Sequence, residues 1–313
     1  MKTAFLFPGQ GSQYVGMGED FFTRYEEARE VFAAAEAALD LPLRELCFRG
    51  PREELQKTSN TQPAILVTSI ACLRVLEAAG VHADAVAGHS LGEYSALVAA
   101  GVLSLGDAVR LVHRRGQYMQ DAVPLGSGGM VAVLGLDLSA VERIREQAAQ
   151  VGVVEIANYN CPGQVVLAGE MQALEAAVDA ARAAGGKRSV LLAVSGPFHS
   201  SLMRRAAEKL AVDLAGTTFR DPRVPVVANV TADYVQTGDE IRAALIRQMY
   251  SPVRWEESIR RLAADGVTVF VEVGPGRVLS GLVSRIVRRK ATVLNVEDQA
   301  TLEKVLAYHR GVG

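Results

Sequence analysis

The chain has 313 residues, 49% hydrophobic and 22% charged, with a formal net charge of −2. That balance excludes a disordered or low-complexity chain and lacks the Lys/Arg surplus by which nucleic-acid binders neutralise phosphate. No apolar run approaches the ~20 residues of a membrane-spanning helix, and MKTAFLFPGQG reaches proline and glycine too soon for a secretory h-region. Cys47, Cys72 and Cys161 are odd in number and widely spaced, which fits neither a disulfide framework nor a zinc site. These features together lead us to expect a cytoplasmic protein with no metal, no nucleic-acid partner and no membrane partner. At ~100–200 residues per domain and with no Pro/Ser-rich linker, the length suggests one large domain carrying an insert.

In chain order, AFLF (4–7) reads as a strand, followed by the glycine-rich loop PGQGSQ and a single helix from Glu19 to Leu39. A second long helix is predicted from Thr61 to Ala79, then a short strand AVAGH (85–89), a helix over Leu91 to Ala100, and another starting at Ser104, where SLGD offers a capping-box-like start. From Met130 to Val194 the pattern changes to strand MVAVLGL, helix Ser139 to Gln150, strands VVEIAN and QVVLAG, helix Met171 to Ala184, and strand SVLLAV. This βαββαβ order is ferredoxin-like. Long helices alternating with short strands then resume, with a helix from Ser200, strand VVANV (226–230), helices near 239–250 and 254–264, strand VTVFVEV (267–273), and a closing helix-strand-helix. The expected fold is therefore α/β, with a mostly parallel sheet in a discontinuous large subdomain (1–127 and 196–313) and a small ferredoxin-like subdomain (128–195) inserted into it.

GHSLG (88–92) matches GxSxG between a short strand and a helix, the setting of a nucleophile elbow. A sharp turn there lifts the Ser90 hydroxyl into the open, and the backbone N–H of Leu91, at the helix start, faces a developing oxyanion. The alternative is that Ser90 merely caps the helix. A hydroxyl needs a base within reach, and of five histidines His199, in SGPFHSS, lies on a loop at the same kind of strand end as Ser90. His89 precedes Ser90 on the opposite side of the backbone, His82 ends a helix, His113 sits among arginines, and His309 is near the C-terminus. No Asp or Glu stands out as a third member.

The loop FPGQGSQ lacks the spacing of a dinucleotide or Walker loop, which leaves two readings: a second oxyanion donor from a neighbouring strand's loop, or a plain turn. On the helix from Ser104, Arg115 shares the inward stripe of Leu111 and Met119. A buried arginine is costly unpaired, so it either meets an internal carboxylate or waits as a planar fork for a substrate carboxylate.

The segments FPGQGSQ, GHSLGEY, HRRGQYMQ, NYNCPGQVVLAG, VSGPFHS, RQMYSPVRW and VEVGPGRVLSGL run collinearly through the chain. Together they resemble the malonyl-CoA:acyl-carrier-protein transacylase family, kin to the acyltransferase domains of polyketide and fatty-acid synthases. The resemblance implies an α/β-hydrolase-like core with a ferredoxin-like insert. It implies that Ser90 accepts the acyl group and His199 is the base, with the backbone N–H groups of Gln10 and Leu91 forming the oxyanion hole. It further implies that Arg115 binds the malonyl carboxylate, that the main-chain carbonyl of Gln248 orients the histidine, and that Asn160 and Phe198 line the cleft. Phe198 resembles the pattern that limits room for a methyl branch.

The implied substrates are malonyl-CoA and the phosphopantetheine thiol of holo-acyl carrier protein, for fatty-acid biosynthesis, with no permanently bound cofactor; a monomer is expected. Two related readings share the serine: a stand-alone polyketide acyltransferase and a proofreading acyl hydrolase. A carrier protein is typically acidic, so a basic patch drawn from Arg110, Arg114, Arg204 and Arg205 is expected beside the cleft.

Overall fold

The computed structural model describes residues 2–311. Its strands are β1 (Lys2–Phe7), β2 (Ala85–Gly88), β3 (Gly128–Leu134), β4 (Val154–Cys161), β5 (Gln164–Glu170), β6 (Arg188–Leu191), β7 (Val226–Val227), β8 (Tyr234–Val235), β9 (Val267–Val273) and β10 (Thr292–Val296). Six of them form a sheet in the order β10-β9-β1-β2-β7-β8, parallel throughout except that β8 runs antiparallel to β7. β3 to β6 form a separate antiparallel sheet in the order β4-β5-β3-β6. Its βαββαβ succession, with helices Leu138–Ala148 and Met171–Ala183, is the ferredoxin-like order read from the sequence.

The central strands of the larger sheet are near-continuous apolar runs because helices cover both faces. In AFLF and VFVEV every side chain is buried, whichever face it points to. Among the described residues no helix is long and apolar enough to cross a membrane.

Two helices set up the site. Helix Thr58–Ala78 is buried over most of its length and contains Pro63. Proline has no N–H to return to the Ser59 carbonyl four residues before it, and His113 Nδ1, 2.9 Å away, donates to that carbonyl instead. The donor belongs to helix Leu105–Gln120, which Ser104 caps by accepting the Asp107 N–H. The two helices touch backbone to backbone at Gly116, where a Cβ would lie 2.6 Å from the Thr58 carbonyl oxygen. Only glycine permits that approach, and it brings Arg115 against Gln62.

Two readings from sequence need correction. The single helix over 19–39 is two, Glu19–Arg24 and Glu26–Leu39, broken at Tyr25 in an extended conformation. The break serves a contact distant in sequence: Tyr25 Oη donates to Gln299 Oε1 at 2.5 Å, and Asp20 accepts the Gln299 N–H, so the last helix overrides local propensity. The strand expected over 226–230 is only Val226–Val227. The chain turns back at once, with Ala232 N bonded to Ala228 O, which frees Asn229 for another task. Short helices Leu43–Phe48 and Arg52–Gln56 also fill a stretch with no sequence assignment.

Candidate active site

The loops after β1, β2 and β7 meet at the C-terminal edge of the parallel sheet, where α/β folds place their crevice. Ser90 follows β2 with φ of +53°, the strained conformation of an elbow serine. Both flanking glycines are sterically required. A Cβ on Gly88 would lie 1.9 Å from the Gly92 carbonyl, and one on Gly92 would lie 2.0 Å from the Phe7 carbonyl oxygen. We expect Gly92→Ala to cost about 3 kcal/mol through forced overpacking, seen as a lowered urea midpoint together with lost Ser90 reactivity. A folded, fully reactive variant would contradict this geometry.

Asn229 holds the elbow. Its Oδ1 accepts the Ser90 N–H at 2.7 Å and its Nδ2 donates to the Gly88 carbonyl at 2.7 Å. His199, also left-handed at φ +60°, is 3% exposed. Its Nε2 lies 2.7 Å from Ser90 Oγ and its Nδ1 2.8 Å from the Gln248 carbonyl. A carbonyl can only accept, so Nδ1 carries the proton and Nε2 is left as the acceptor for the serine hydroxyl. Burial and the neighbouring Arg115 push the His199 pKa down to about 3, so the ring is neutral at ordinary pH.

Arg115 is 1% exposed, and its hydrogen-bond partners among the described residues are all neutral. Nη1 donates to Gln62 Oε1 at 2.8 Å, and Nη2 donates to Gln248 Oε1 at 2.9 Å and Ser90 Oγ at 3.1 Å. Its Nε has no partner, and burial holds its pKa below the ordinary arginine value. Of the two options read from sequence, the internal carboxylate partner is therefore absent here. The guanidinium stands beside the serine with no carboxylate in direct contact.

A cavity of about 80 Å³ opens at this point, lined by Gln10, Ser90, Leu91, Arg115 and His199, with Met119, Met130, Leu192, Val194 and Phe198 as its apolar wall. Gln10 and Leu91 line it, and neither N–H has an acceptor among the described residues. The Gln10 side chain is tied back to Thr58, which also meets Ser195 Oγ at 2.9 Å. Asn160 is placed differently from expectation. The cavity is lined from its strand by Asn158, while Asn160 Oδ1 accepts from His89 Nε2 at 2.9 Å. That bond, with the His89 ring edge-on to Trp255 at 5.4 Å, directs His89 away from the serine proton.

The expected basic patch is smaller than the sequence suggested. Arg110 pairs with Asp107 and Arg114 with Asp213, and Arg204 lies over the Tyr250 ring. Sequence reasoning missed Gln62, Glu93 and Asn229. Glu93, beside the elbow in GHSLGEY, carried the nearest available signal, because a charged residue in the first turn of an otherwise apolar helix must find buried donors.

The arrangement places a neutral base and a buried cation on one serine hydroxyl, with two unpaired backbone donors lining the same cavity, a set suited to nucleophilic acyl transfer. The acyl transferase domain family matches residues 4–312. A malonyl CoA-acyl carrier protein transacylase of Bacillus subtilis is 50% identical over 303 residues, spanning 96% of this chain and 95% of its own. The crystal structure of a malonyl CoA-acyl carrier protein transacylase from Clostridium perfringens superposes with a TM-score of 0.96 at 44% identity, covering 100% of this chain and 98% of that one. A malonyl-transacylase solved in complex with a type II PKS acyl-carrier protein gives a TM-score of 0.96 at 47% identity, over 98% of this chain and 100% of that one. On matches that run the length of both sequences, the chain belongs to the acyl transferase domain family.

Proposed function

We propose that this chain transfers malonyl from malonyl-CoA to the phosphopantetheine thiol of holo-acyl carrier protein through a malonyl ester on Ser90, supplying malonyl-carrier protein for fatty-acid synthesis. The observation that carries this reading is the buried Arg115 fork, 3.1 Å from Ser90 Oγ and without a carboxylate in direct contact. A site for simple acyl chains gains nothing from a buried cation, whereas malonyl offers a carboxylate that pairs with it.

His199 Nε2 removes the Ser90 proton as Oγ attacks the thioester carbon. The tetrahedral oxyanion rests on the N–H groups of Gln10 and Leu91. The C–S bond breaks, and CoA thiolate takes the proton back from His199 and leaves. The carrier thiol then enters, gives its proton to His199 and attacks the ester, and Ser90 recovers its proton on departure. The Gln248 carbonyl holds the imidazole in the required tautomer without an acid. Phe198, Met119 and Met130 confine the acyl group, which disfavours a branch methyl by ~1–3 kcal/mol. The strands from 128–195 form a subdomain that covers the serine, and the flanking segments 1–127 and 196–313 form the catalytic body.

The reading is tested by supplying malonyl-CoA with and without holo-carrier protein. Malonyl-carrier formation that far outpaces release of free malonate is expected. Malonate release that is unaffected by carrier would instead identify a hydrolase.

A further inference from the structure

The mechanism leaves a buried carboxyl group beside the site unused. Glu93, in helix Gly92–Ala99, is 2% exposed. Its Oε2 accepts the Asn229 N–H and Gln248 Nε2, both at 2.9 Å. Each partner goes on to a reacting residue. Asn229 holds the Ser90 N–H. Gln248 donates from the same Nε2 to the Ser90 carbonyl at 3.0 Å, accepts Arg115 Nη2 on Oε1, and accepts His199 Nδ1 on its main-chain oxygen.

The polarity of this chain of bonds is fixed by chemistry. Arginine only donates and an ionised carboxylate only accepts, so the Gln248 amide must direct its oxygen at Arg115 and its NH₂ at Glu93. Cation, amide and anion are in series. A carboxylate in direct contact with Arg115 would neutralise it and occupy the fork that a substrate carboxylate needs. Set one amide away, Glu93 supplies counter-charge without taking up the guanidinium donors that remain unpaired, Nε among them. The balance matters most when His199 takes the serine proton, because two cations then share a buried space.

We propose that Glu93 is the positioning anion of this site, relayed through the Gln248 amide to Arg115 and His199, and that acylation of Ser90 requires its ionised form. The inference rests on the malonyl-transfer reading above. Burial pushes the Glu93 pKa up to about 7, against the lowering pull of Asn229, Gln248 and Arg115. The charged and titratable groups around it are Arg115 from helix Leu105–Gln120 and Tyr94 on its own helix; Asn229 and Gln248 are neutral. His199, at about 3, does not titrate in the same range. Glu272 does, at about 7, but its carboxylate caps the distant helix Val278–Val287 through the N–H groups of Leu279 and Ser280.

The test is the rate of Ser90 acylation by malonyl-CoA alone, from pH 6 to 8, in native protein and in Glu93→Gln. Leaving out the carrier removes thiol ionisation from the profile. The native rate is expected to rise about 10-fold across a midpoint near 7, and Glu93→Gln to be flat across the range at no more than a tenth of the native rate at pH 8. A limb of the same midpoint persisting in Glu93→Gln would assign it elsewhere and overturn the proposal. If that variant does not fold, the native profile still decides: a pH-independent native rate overturns the proposal. Absence of any acylation would instead remove the malonyl-transfer reading itself.

Discussion

Arg115→Ala is expected to slow malonyl acylation of Ser90 by roughly 10²–10³-fold while leaving acetyl acylation within a few-fold of native. The magnitude follows from removing one partner of a desolvated, hydrogen-bonded charge pair, about 3–4 kcal/mol, at 1.4 kcal/mol per tenfold. The asymmetry follows from the site: the guanidinium is buried with no carboxylate in direct contact, so a substrate carboxylate gains an ion pair there that an acetyl group cannot make. Arg115→Lys should not restore the rate, because an ammonium is a point charge and cannot span Gln62, Gln248 and the substrate as a planar fork does. The measurement is a competition of malonyl-CoA against acetyl-CoA in the acylation step. Equal slowing of both acyl groups would mean that Arg115 serves Ser90 rather than the substrate.

His199→Ala is expected to lower transfer about 10²–10⁴-fold, the usual worth of a positioned general base. Its pH behaviour is equally specific. A depressed pKa of about 3 keeps the imidazole unprotonated throughout the neutral range, so the base itself contributes no loss of activity until pH falls toward 4. The same shift affects stability. A histidine whose folded pKa lies below its unfolded value near 6.5 destabilises the fold progressively as pH drops from about 6.5 toward 3. His199→Ala should flatten part of that acid loss, measurable as unfolding midpoints at pH 4.5 and 7. An unchanged difference between the two pH values would show that His199 is not buried in the neutral form.

Much of the site could be read locally. Ser90 was legible because the elbow is a short-range device, in which two glycines four residues apart meet each other and the Phe7 carbonyl. Arg115 was legible because helical period places it on a stripe with Leu111 and Met119. The βαββαβ order emerged from alternation within 128–195, and the structure orders those strands in their own sheet.

The polar frame was not legible, because its bonds join residues far apart in sequence. Ser90 to Asn229, Asn229 to Glu93 and Gln248 to Glu93 span more than a hundred residues each. Asn229 was masked by its setting in VVANV, which reads as strand until the chain turns after Val227. Asn160 and Asn158 share a face by period two, and a register irregularity near Asn158 blurs which of them reaches the cavity. Tyr25 likewise breaks a helix for the sake of Gln299.

The most direct test of the account is mass analysis of the Ser90 peptide after brief incubation with malonyl-CoA. A malonyl ester on Ser90 is predicted, absent from Ser90→Ala and discharged on addition of holo-carrier protein. Transfer proceeding with no ester on Ser90, or a malonyl adduct that survives Ser90→Ala, would contradict it.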